Sequence, residues 1–540
     1  MNFRAVLALY NPTLAASVLG QLKKGHYSGW RLLSWIWRTQ TFRTDVELSE
    51  VQRSVAVFLG LAMLAQLSVG IGLLVEWARY GTAGAWELGA ALILSYSLVW
   101  AHVVVVVAWI WSMLRAAANP KNAARSMVCA VLEWQVHQLR LRHHFKVVAV
   151  AGSVGKTTTK LAVADLLAAR GLRVRHQAGN YNDRVTVPLV FFGLKEPSLY
   201  NPLAWLKAFG ITQSEIAMPY PYDVVVVELG TDGPGQIEQF AYLKPDITVV
   251  TAISPEHMEY FGTLDAVAAE ELRVFHFSKQ VLVNTDDIAG EYLAGLEFTD
   301  YSLSSEQAHY GATVTHQSLE GQSLDIRMPK GSLSAHIHHL GEQGAKAALA
   351  AAAVANMLDV QRSAITDGLQ HIKPFAGRMQ PLHGVKGSKL IDDTYNASPI
   401  AAKAALDVLY GTRAKQRIAI LGSMNELGEY SQQAHEEVGA YCDPKKLAVV
   451  VTIGHDAKKW LAPVARERGC TAHSFASPYD AGSYVSGKLE KGGVVLAKGS
   501  QNGVFAEEAL KALLADPEDA SKLVRQSDYW LKVKQQQFPR

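Results

Sequence analysis

Residues 147–160 read Val-Val-Ala-Val-Ala-Gly-Ser-Val-Gly-Lys-Thr-Thr-Thr-Lys, and this stretch decides the fold of the chain. An apolar, β-branched run stops at Gly152 and Gly155, and a helical pattern opens at Lys156. The order predicts a strand, a glycine loop and a helix N-terminus, which together aim backbone N–H groups and the positive end of the helix dipole at a phosphate. Lys156 would reach the outer phosphates of a nucleotide, and the Thr157 hydroxyl would bind Mg²⁺. The alternative is a glycine turn ahead of an ordinary helix.

Strand-like runs alternate with helical patterns after residue 145, which predicts an α/β fold built on parallel sheets covered by helices. The first series of apolar runs lies at 147–151, 224–228, 248–252 and 281–284, and an Ala-rich helix follows at 344–357. A second series lies at 390–392, 417–422, 449–454 and 494–498. Pro and Gly at 373–377 separate the two, so we predict a P-loop parallel-sheet ATPase domain at 145–375 and a smaller Rossmann-like domain at 376–540.

The region 1–144 differs from the rest, because nine of the twelve Trp residues lie before residue 135. Residues 54–75 and 88–114 carry no charged side chain, and each run is long enough to cross a hydrocarbon core about 30 Å thick. Basic residues are concentrated before the first run and after the second, whereas the connection between them carries only Arg79. The positive-inside rule predicts a two-helix transmembrane segment in the inner (cytoplasmic) membrane, with both ends and the catalytic domains in the cytoplasm.

Alternatives stay open in this region. The two apolar runs are also compatible with buried helices of a soluble domain. Residues 4–37 are apolar, basic and rich in Trp, and they either lie along the inner membrane surface or pack on the hairpin. The net charge of +3 is too small to indicate a nucleic-acid partner. The three Cys residues, at 129, 442 and 470, lack metal-ligand or disulfide spacing, which fits a reducing compartment.

Two polar residues stand where predicted strands end. Glu228 closes the run Val-Val-Val-Val-Glu, and His257 follows shortly after the strand at 248–252. Parallel sheets place ligands at the carboxyl ends of their strands, and Mg²⁺ takes carboxylate oxygens together with phosphate oxygens. Glu228 is therefore a candidate metal ligand beside the phosphate loop. A lone histidine is more often a capping or packing residue, but the neighbouring phosphate loop favours a site role for His257.

Eight short motifs, in the same order along residues 151–500, make the chain resemble the Mur ligase family. These are the ATP-dependent amide ligases of peptidoglycan precursor synthesis, and the likeness is greatest to the members that add D-alanyl-D-alanine. The motifs are Ala-Gly-Ser-Val-Gly-Lys-Thr-Thr (151–158), Gly-Asn-Tyr-Asn-Asp (179–183), Glu-Leu-Gly (228–230), His-Met-Glu-Tyr-Phe-Gly-Thr (257–263), Gly-Arg (377–378), Asp-Asp-Thr-Tyr-Asn-Ala (392–397), Leu-Gly-Ser-Met-Asn-Glu-Leu-Gly (421–428) and Lys-Gly-Ser (498–500).

The resemblance implies that the γ-phosphate of ATP moves to a substrate carboxylate, and that an amine then attacks the acyl phosphate to form an amide. It implies four catalytic residues, Lys156, His257, Glu271 and Lys498. It implies Mg²⁺ ligands at Thr157, Glu228, His257 and Glu271. It implies ATP contacts from Gly152, Ser153, Gly155, Lys156, Thr157, Thr158, Asn180, Asn182, Arg378, Asp393, Tyr395 and Asn396. Closure of the C-terminal domain would exclude the water that would otherwise hydrolyse the acyl phosphate.

The chain departs from the family pattern at several positions. Glu271 stands where the family carries a carbamylated lysine, so we predict that its carboxylate supplies the same metal ligand unmodified. The alternative is an ordinary glutamate on a helix surface. Ala252 and the pair Gln343-Gly344 replace the Asn and His-Asn residues that help hold the nucleotide base and ribose in the family. The contacts to adenine are therefore expected to differ.

The family's N-terminal domain, which binds the UDP-sugar, has no counterpart, and the membrane segment stands in its place. We therefore expect a muropeptide or other carboxylate substrate, either UDP-linked or lipid-linked, and an amino acid or dipeptide amine. Two other functions stay open. One is a ligase of the same fold that acts on a folyl- or γ-glutamyl-type substrate. The other is an inactive nucleotide-binding membrane scaffold, which the substitutions at 252, 271 and 343–344 would favour. The sequence does not indicate the oligomeric state.

Overall fold

The computed structural model describes residues 120–540 apart from 170, 178, 180, 502, 539 and 540, together with all side chains in that range except those of 120–124 and 259. The chain divides after Val128, and the description below concerns the unit Cys129–Arg540. The predicted transmembrane segments at 54–75 and 88–114, and Asn180, lie outside the described residues. Within the described part of the chain, every helix is too short or too polar to cross a membrane.

The first domain is built on a nine-stranded sheet in the order β2-β3-β1-β4-β5-β6-β7-β8-β9. The strands are β1 (Lys146–Ala151), β2 (Val174–Arg175), β3 (Val224–Glu228), β4 (Ile247–Val250), β5 (Val281–Asn284), β6 (Thr299–Ser302), β7 (Tyr310–Ser318), β8 (Gly321–Met328) and β9 (Gly331–Ile337). Pairing is parallel from β2 to β7 and antiparallel from β7 to β9. The four predicted strands of this domain are confirmed, whereas the antiparallel extension was not predicted.

Helices cover both faces of this sheet and create two apolar cores. They are α1 (Pro120–Arg142), α2 (Lys156–Ala169), α3 (Thr186–Phe192), α4 (Pro202–Ala217), α5 (Met258–Phe261), α6 (Leu264–Glu271), α7 (Gly290–Leu293), α8 (Gly341–Met357) and α9 (Arg362–His371), with 3₁₀ turns at Ile237–Leu243 and Leu272–His276. The run 345–355 of α8, mostly Ala, is buried throughout. Its small side chains let this helix pack closely on α2, which carries the glycine loop at its N-terminus.

The second domain is built on a six-stranded sheet in the order β10-β11-β15-β12-β13-β14, parallel except for β10. Its strands are β10 (Gln380–His383), β11 (Lys389–Asp393), β12 (Arg417–Gly422), β13 (Val449–Ile453), β14 (Ala472–Phe475) and β15 (Val494–Lys498). Its helices are α10 (Pro399–Gly411), α11 (Ser431–Tyr441), α12 (Ala462–Glu467), α13 (Pro478–Lys488), α14 (Glu507–Lys511) and α15 (Asp528–Gln537). Short 3₁₀ turns lie at Val385–Gly387, Gly428–Tyr430 and Pro517–Lys522, and a π-turn at Ala457–Leu461.

The predicted α/β class is confirmed for both domains. Residues at or just after the carboxyl ends of β1 and β3 in the first domain and of β11 and β15 in the second line the same cavity. Residues near the ends of four parallel strands therefore meet at one cleft, which is where sheets of this type place ligands.

Candidate active site between the two domains

The glycine loop is held in a conformation that glycine adopts readily. Gly152 has φ of +116° and Gly155 has φ of +87°. A Cβ atom at Gly152 would lie 2.5 Å from Thr251 Oγ1 and 2.9 Å from the Ala252 nitrogen, so this position also lacks space for a side chain. Ser153 is tied to the same neighbouring segment, because its hydroxyl contacts Ser254 Oγ at 2.8 Å. Residues 251–254 thus hold one side of the loop, and its other side borders a cavity that a ligand can occupy.

Above the loop lies a cavity of about 360 Å³ that both domains line. Eleven predicted site residues reach it: Ser153, Gly155, Lys156, Thr157, Asn182, Glu228, His257, Arg378, Tyr395, Asn396 and Lys498. Gly152, Thr158, Asp393 and Glu271 are absent from its lining and stand behind or beside it. The structure therefore brings residues more than 300 positions apart in the sequence into one polar cleft.

Lys156 is folded back over its own loop. Its Nζ donates hydrogen bonds to the carbonyl oxygens of Gly152 and Ser153 and lies 3.5 Å from Glu256 Oε2. Burial by itself lowers the pKa of Lys156, but Glu256, Glu271 and Glu228 together outweigh burial and raise it. The side chain therefore stays cationic, and a phosphate that entered the cleft would replace the carbonyls and Glu256 as its partners.

Glu228 is a buried carboxylate that stays ionised. One oxygen lies 3.2 Å from Lys160 Nζ, and the other accepts a hydrogen bond of 3.2 Å from the Asn182 side chain. Burial raises the pKa of Glu228, whereas Lys160, Lys156 and Arg378 lower it, and the net shift is downward. A charged carboxylate at a strand end, beside a phosphate loop, is a suitable donor for a hard cation.

Thr157 is the second hard-oxygen donor at this point. Its hydroxyl accepts a bond of 3.2 Å from Arg378, and it helps to lower the pKa of Glu228. The two oxygens are adjacent and both line the cavity, so the donor set fits Mg²⁺. Among the described residues, no three or more His, Cys, Asp or Glu side chains are grouped as a metal site. An ion here would therefore take its other ligands from phosphates and water.

His257 lies across the cavity and contacts the second domain. Its backbone is left-handed, with φ of +49°. Nδ1 lies 3.1 Å from Glu426 Oε2, and Nε2 lies 3.6 Å from Asp232 Oδ1. Burial lowers the pKa of His257, but Glu426 and the other nearby carboxylates raise it overall. The imidazole is thus a link between the domains.

Glu271 ends helix α6 and is buried, with 2% of its surface exposed. Its carboxylate accepts a hydrogen bond of 2.8 Å from the Gly152 N–H. Burial raises its pKa to about 7, although Lys156 and the Gly152 N–H act in the opposite direction. The alternative of a glutamate on a helix surface is therefore wrong. The metal-ligand role of Glu271 stays a prediction, and the observed contact is a support for the phosphate loop from behind.

The second domain contributes two cations to the cleft. The Arg378 guanidinium lies 4.1 Å from the centre of the Tyr395 ring. Lys498 Nζ lies 2.5 Å from Asp393 Oδ2 and donates to the Asn396 carbonyl at 3.0 Å. Lys498 is buried. These contacts hold both cations at the cleft, and Arg378 reaches across it to Thr157.

Arg525 is a supporting residue that the sequence did not reveal. Its guanidinium donates to the carbonyl oxygens of Thr394 and Tyr395, at 2.6 and 3.0 Å, and forms a two-bond pair with Glu507. Buried Lys534 contacts Glu507 at 2.9 Å and Glu508 at 2.7 Å. Arg525, held in place by Glu507, thus stabilises the loop that carries Tyr395 and Asn396. No local motif signals a contact across 130 positions.

Three further acidic residues at the site were also missed. Glu256 contacts Lys156, Asp232 contacts His257, and Glu426 reaches His257 from the second domain. Signals for two of them were present, because Glu256 directly precedes His257 and Glu426 lies inside the motif at 421–428. Asp232 had no such signal.

A neighbouring cavity of about 500 Å³ lies on the other side of Val154. Ala252 and Gln343, two positions at which the chain departs from the family pattern, both line it. Asp287 also lines it and is paired with Lys346, at 2.9 Å. The substituted positions therefore lie together, next to the phosphate loop.

Comparison with known proteins agrees with this geometry. The family model described as the Mur ligase middle domain matches residues 150–355, and the model described as the Mur ligase, glutamate ligase domain matches 377–501. The UDP-N-acetylmuramoyl-tripeptide–D-alanyl-D-alanine ligase of Haemophilus influenzae is 29% identical over 59% of this chain and 66% of its own length. The Bacillus subtilis enzyme of the same name is 28% identical over 69% of this chain and 76% of its own length. The chain thus covers just under two thirds of the first relative.

Solved structures with the same fold include MurF from Acinetobacter baumannii, with a TM-score of 0.59 and 22% identity over 73% of this chain and 80% of that one. MurF from Thermotoga maritima, determined in complex with ADP, has a TM-score of 0.57 and 21% identity over 73% of this chain and 84% of that one. At this identity the likeness shows the fold. With both domain models matched in sequence order, the chain belongs to the Mur ligase family.

Proposed function

We propose that the chain is an ATP-dependent, ADP-forming amide ligase that acts through an acyl phosphate on a muropeptide precursor. The amine would be D-alanyl-D-alanine or a similar compound. The observation that carries the proposal is the shared cavity, which Lys156 of the first domain and Lys498 of the second line together with Thr157 and Glu228. The names of the curated relatives agree with this chemistry.

The reaction requires charge neutralisation and positioning more than covalent catalysis. Lys156 would leave the carbonyls of its own loop and bind the transferring phosphate, while the loop N–H groups bind the others. Thr157 and Glu228 would hold one Mg²⁺ ion, and His257 would help hold a second, with Glu271 as a further candidate ligand; the two ions would neutralise phosphate charge. Arg378, with the Tyr395 ring behind it, would bind the nucleotide from the second domain. Lys498 would bind the carboxylate that receives the phosphate.

Product analysis tests this proposal directly. The purified protein is incubated with ATP, Mg²⁺, a UDP-muramoyl-tripeptide and D-alanyl-D-alanine, and both phosphate release and the mass of the product are measured. The expected result is phosphate release that requires both the acid and the amine, with a product heavier by the amine less one water. Nucleotide binding without turnover on any acid and amine would indicate a scaffold instead. Turnover only with a folate or γ-glutamyl substrate would change the substrate class.

We further propose that residues 1–144 attach the enzyme to the inner membrane through spans at 54–75 and 88–114, with the catalytic domains in the cytoplasm. The support is the pattern of the sequence, in which basic residues flank two uncharged apolar runs. An enzyme attached in this way would meet a lipid-linked acceptor at the membrane surface. Rates on soluble UDP-muramoyl-tripeptide and on its lipid-linked equivalent decide the point, and a clear preference for the soluble substrate would count against it.

A further inference from the structure

Helix α4 (Pro202–Ala217) carries large apolar side chains that the described part of the chain leaves exposed. Its buried face consists of Trp205, Ala208, Thr212 and Ile216, which pack inward. The opposite face carries Leu203, exposed at 75%, and Leu206, exposed at 65%, while Tyr200, just before the helix, is exposed at 74%. Clustered large apolar side chains at one surface of a protein mark an interaction site more often than scattered single ones.

The orientation of α4 follows from its contacts with α1. Gln135 on α1 donates to the Phe209 carbonyl at 3.2 Å, and His143 lies 3.0 Å from the Ile216 carbonyl. The second contact lies eight residues after the first on the α1 side and seven residues after it on the α4 side. Both chains therefore advance in the same direction, and the two helices run parallel. The first turn of α4 therefore lies at the end of the unit where the chain enters at Cys129.

The chain that enters there carries the two apolar runs. The second run ends at Leu114, six positions before Pro120, the first residue of α1. If this run crosses the bilayer, fifteen positions of sequence separate the lipid surface from Cys129, where the unit that contains α4 begins. The exposed side chains lie at the end of the unit where the chain enters. Both features therefore indicate a lipid surface as the partner of this face.

The charges on this surface suit a lipid interface. Exposed Lys207 is one helical turn from Leu203, and exposed Lys195 lies just ahead of the helix. The acidic residue of α4, Glu215, is half-buried in the last turn, and exposed Glu196 lies in the preceding loop beside Lys195. A tyrosine, leucines and a lysine on one face are typical of a helix that lies against headgroups.

We propose that the α4 face, defined as Tyr200, Leu203, Leu206 and Lys207, docks on the surface of an anionic phospholipid bilayer. The inference rests on the proposed membrane attachment for the location of the bilayer. Docking would hold the catalytic unit against the membrane, where a lipid-linked acceptor is presented. Met218, exposed at 55% after the far end of the same helix, lies outside this contact and provides a matched control.

The test uses the full-length chain reconstituted into vesicles of phosphatidylethanolamine and phosphatidylglycerol. Single cysteines are introduced as Leu203→Cys, Leu206→Cys or Met218→Cys and labelled with an environment-sensitive fluorophore. The three native cysteines are buried, so they compete little for the label. Spin-labelled lipid then quenches any fluorophore that enters the interface, because an interfacial helix buries its apolar face ~5–10 Å deep.

The expected result is strong quenching and a blue shift at 203 and 206, with little of either at 218. Equal, weak quenching at all three positions would overturn the docking proposal. A blue shift at 203 and 206 without lipid quenching would also overturn it, and would indicate that protein covers the face. Flotation of the protein with the vesicles, measured in the same samples, separates the two proposals. Unquenched labels on floating protein refute docking alone, whereas protein that does not float refutes membrane attachment as well.

A functional readout completes the test. The double substitution Leu203→Ser with Leu206→Ser is compared with Met218→Ser. The double variant is expected to lose activity on a lipid-linked acceptor while it keeps the wild-type rate on a soluble one, because α4 does not line the catalytic cavity. Equal loss on both acceptors would contradict a docking role.

Discussion

The two sides of the cleft hold their cations in different ways. On the first-domain side, Lys156 is bound by the carbonyls of its own loop, and Glu228 is already paired with Lys160. On the second-domain side, Lys498 is held by Asp393 and the Asn396 carbonyl, on a loop that Arg525 fastens from the C-terminal segment. The glycine loop and Lys156 of the first side are built within a few consecutive residues. The second side is assembled over long sequence distances, and its position depends on how the domains meet.

The largest effect is expected from Lys156→Met. This change removes the cation that neutralises the transferring phosphate, so kcat should fall by ~10³-fold or more, and nucleotide affinity should fall with it. Phosphate release and isothermal titration with ATP and Mg²⁺ measure the two effects. Lys146→Met, at a side chain 59% exposed, is the matched control and should leave both unchanged. Retained turnover in Lys156→Met would remove the basis of the proposed mechanism.

Lys498→Met should separate the two sides of the cleft. If Lys498 acts on the reacting carboxylate rather than on the nucleotide, kcat should fall by ~10²-fold while nucleotide affinity changes little. Steady-state rates and ATP titration of the same samples provide the comparison with Lys156→Met. A loss of nucleotide affinity as large as that of Lys156→Met would mean that both sides bind the triphosphate in the same way.

Arg525→Met tests the support behind the second side. The variant leaves the Thr394 and Tyr395 carbonyls without their donor and weakens the neutralisation of buried Glu507, which keeps only Lys534. We expect a loss of ~2–3 kcal/mol in stability and a rise of ~10-fold in KM for ATP. Thermal unfolding and kinetics measure these, and Arg413→Met, on the exposed surface, is the control. A loss of stability without a change in KM would limit Arg525 to a structural role.

The same contrast explains what could be predicted from sequence. The phosphate loop, Glu228 and the parallel strands follow from local patterns, since a β-branched run, two glycines and a lysine dictate the geometry within ten residues. The antiparallel strands β7–β9 were not predicted, because buried and exposed positions mix along them and they lack the continuous apolar runs of the parallel strands. Arg525, Lys534 and Asp232 were missed because their roles depend on tertiary contacts that no short motif encodes.

Glu271 shows that the sequence of a helix does not distinguish a buried glutamate from one on the surface. Its sequence context, Ala-Ala-Glu-Glu-Leu, is equally compatible with a surface glutamate, yet the side chain is buried against the Gly152 N–H. Its neighbour Glu270 accepts bonds from the N–H groups of Gly235, Gln236 and Ile237. Both carboxylates thus hold backbone loops around the site, and only packing distinguishes them from solvent-facing residues.

Glu271→Gln gives a prediction that depends on pH. The folded pKa of Glu271, about 7, is above its unfolded value, so the folded protein binds the extra proton between about pH 4.5 and 7. Wild-type stability relative to Glu271→Gln should therefore fall as pH rises through this window, by up to ~3 kcal/mol. Denaturant unfolding at several pH values, without nucleotide or Mg²⁺, measures it. In activity assays, a Mg²⁺ requirement identical to wild type would rule out the metal-ligand role.

The smallest effect is expected where the two sides touch, at His257 and Glu426. The pKa of His257 is raised and that of Glu426 is lowered, each mainly through the other once burial is set aside. The contribution of His257 to stability is therefore fully present below pH 6.5 and is lost as pH rises through its folded pKa, while that of Glu426 is lost in acid. Because Glu426 is 43% exposed, the contact should contribute no more than ~1 kcal/mol.

Glu426→Gln removes this contact and leaves the phosphate side intact. The His257 pKa, followed by NMR, should return toward its ordinary value. The catalytic rate of the variant should differ from that of the wild type only a few-fold, because substrates that bridge the domains replace the lost contact. Glu429→Gln, at an exposed residue three positions further along, should leave the titration unaltered. If the His257 pKa were the same in Glu426→Gln as in the wild type, the domains would not be linked through this pair, and Arg378 with Thr157 would be the contact that determines closure.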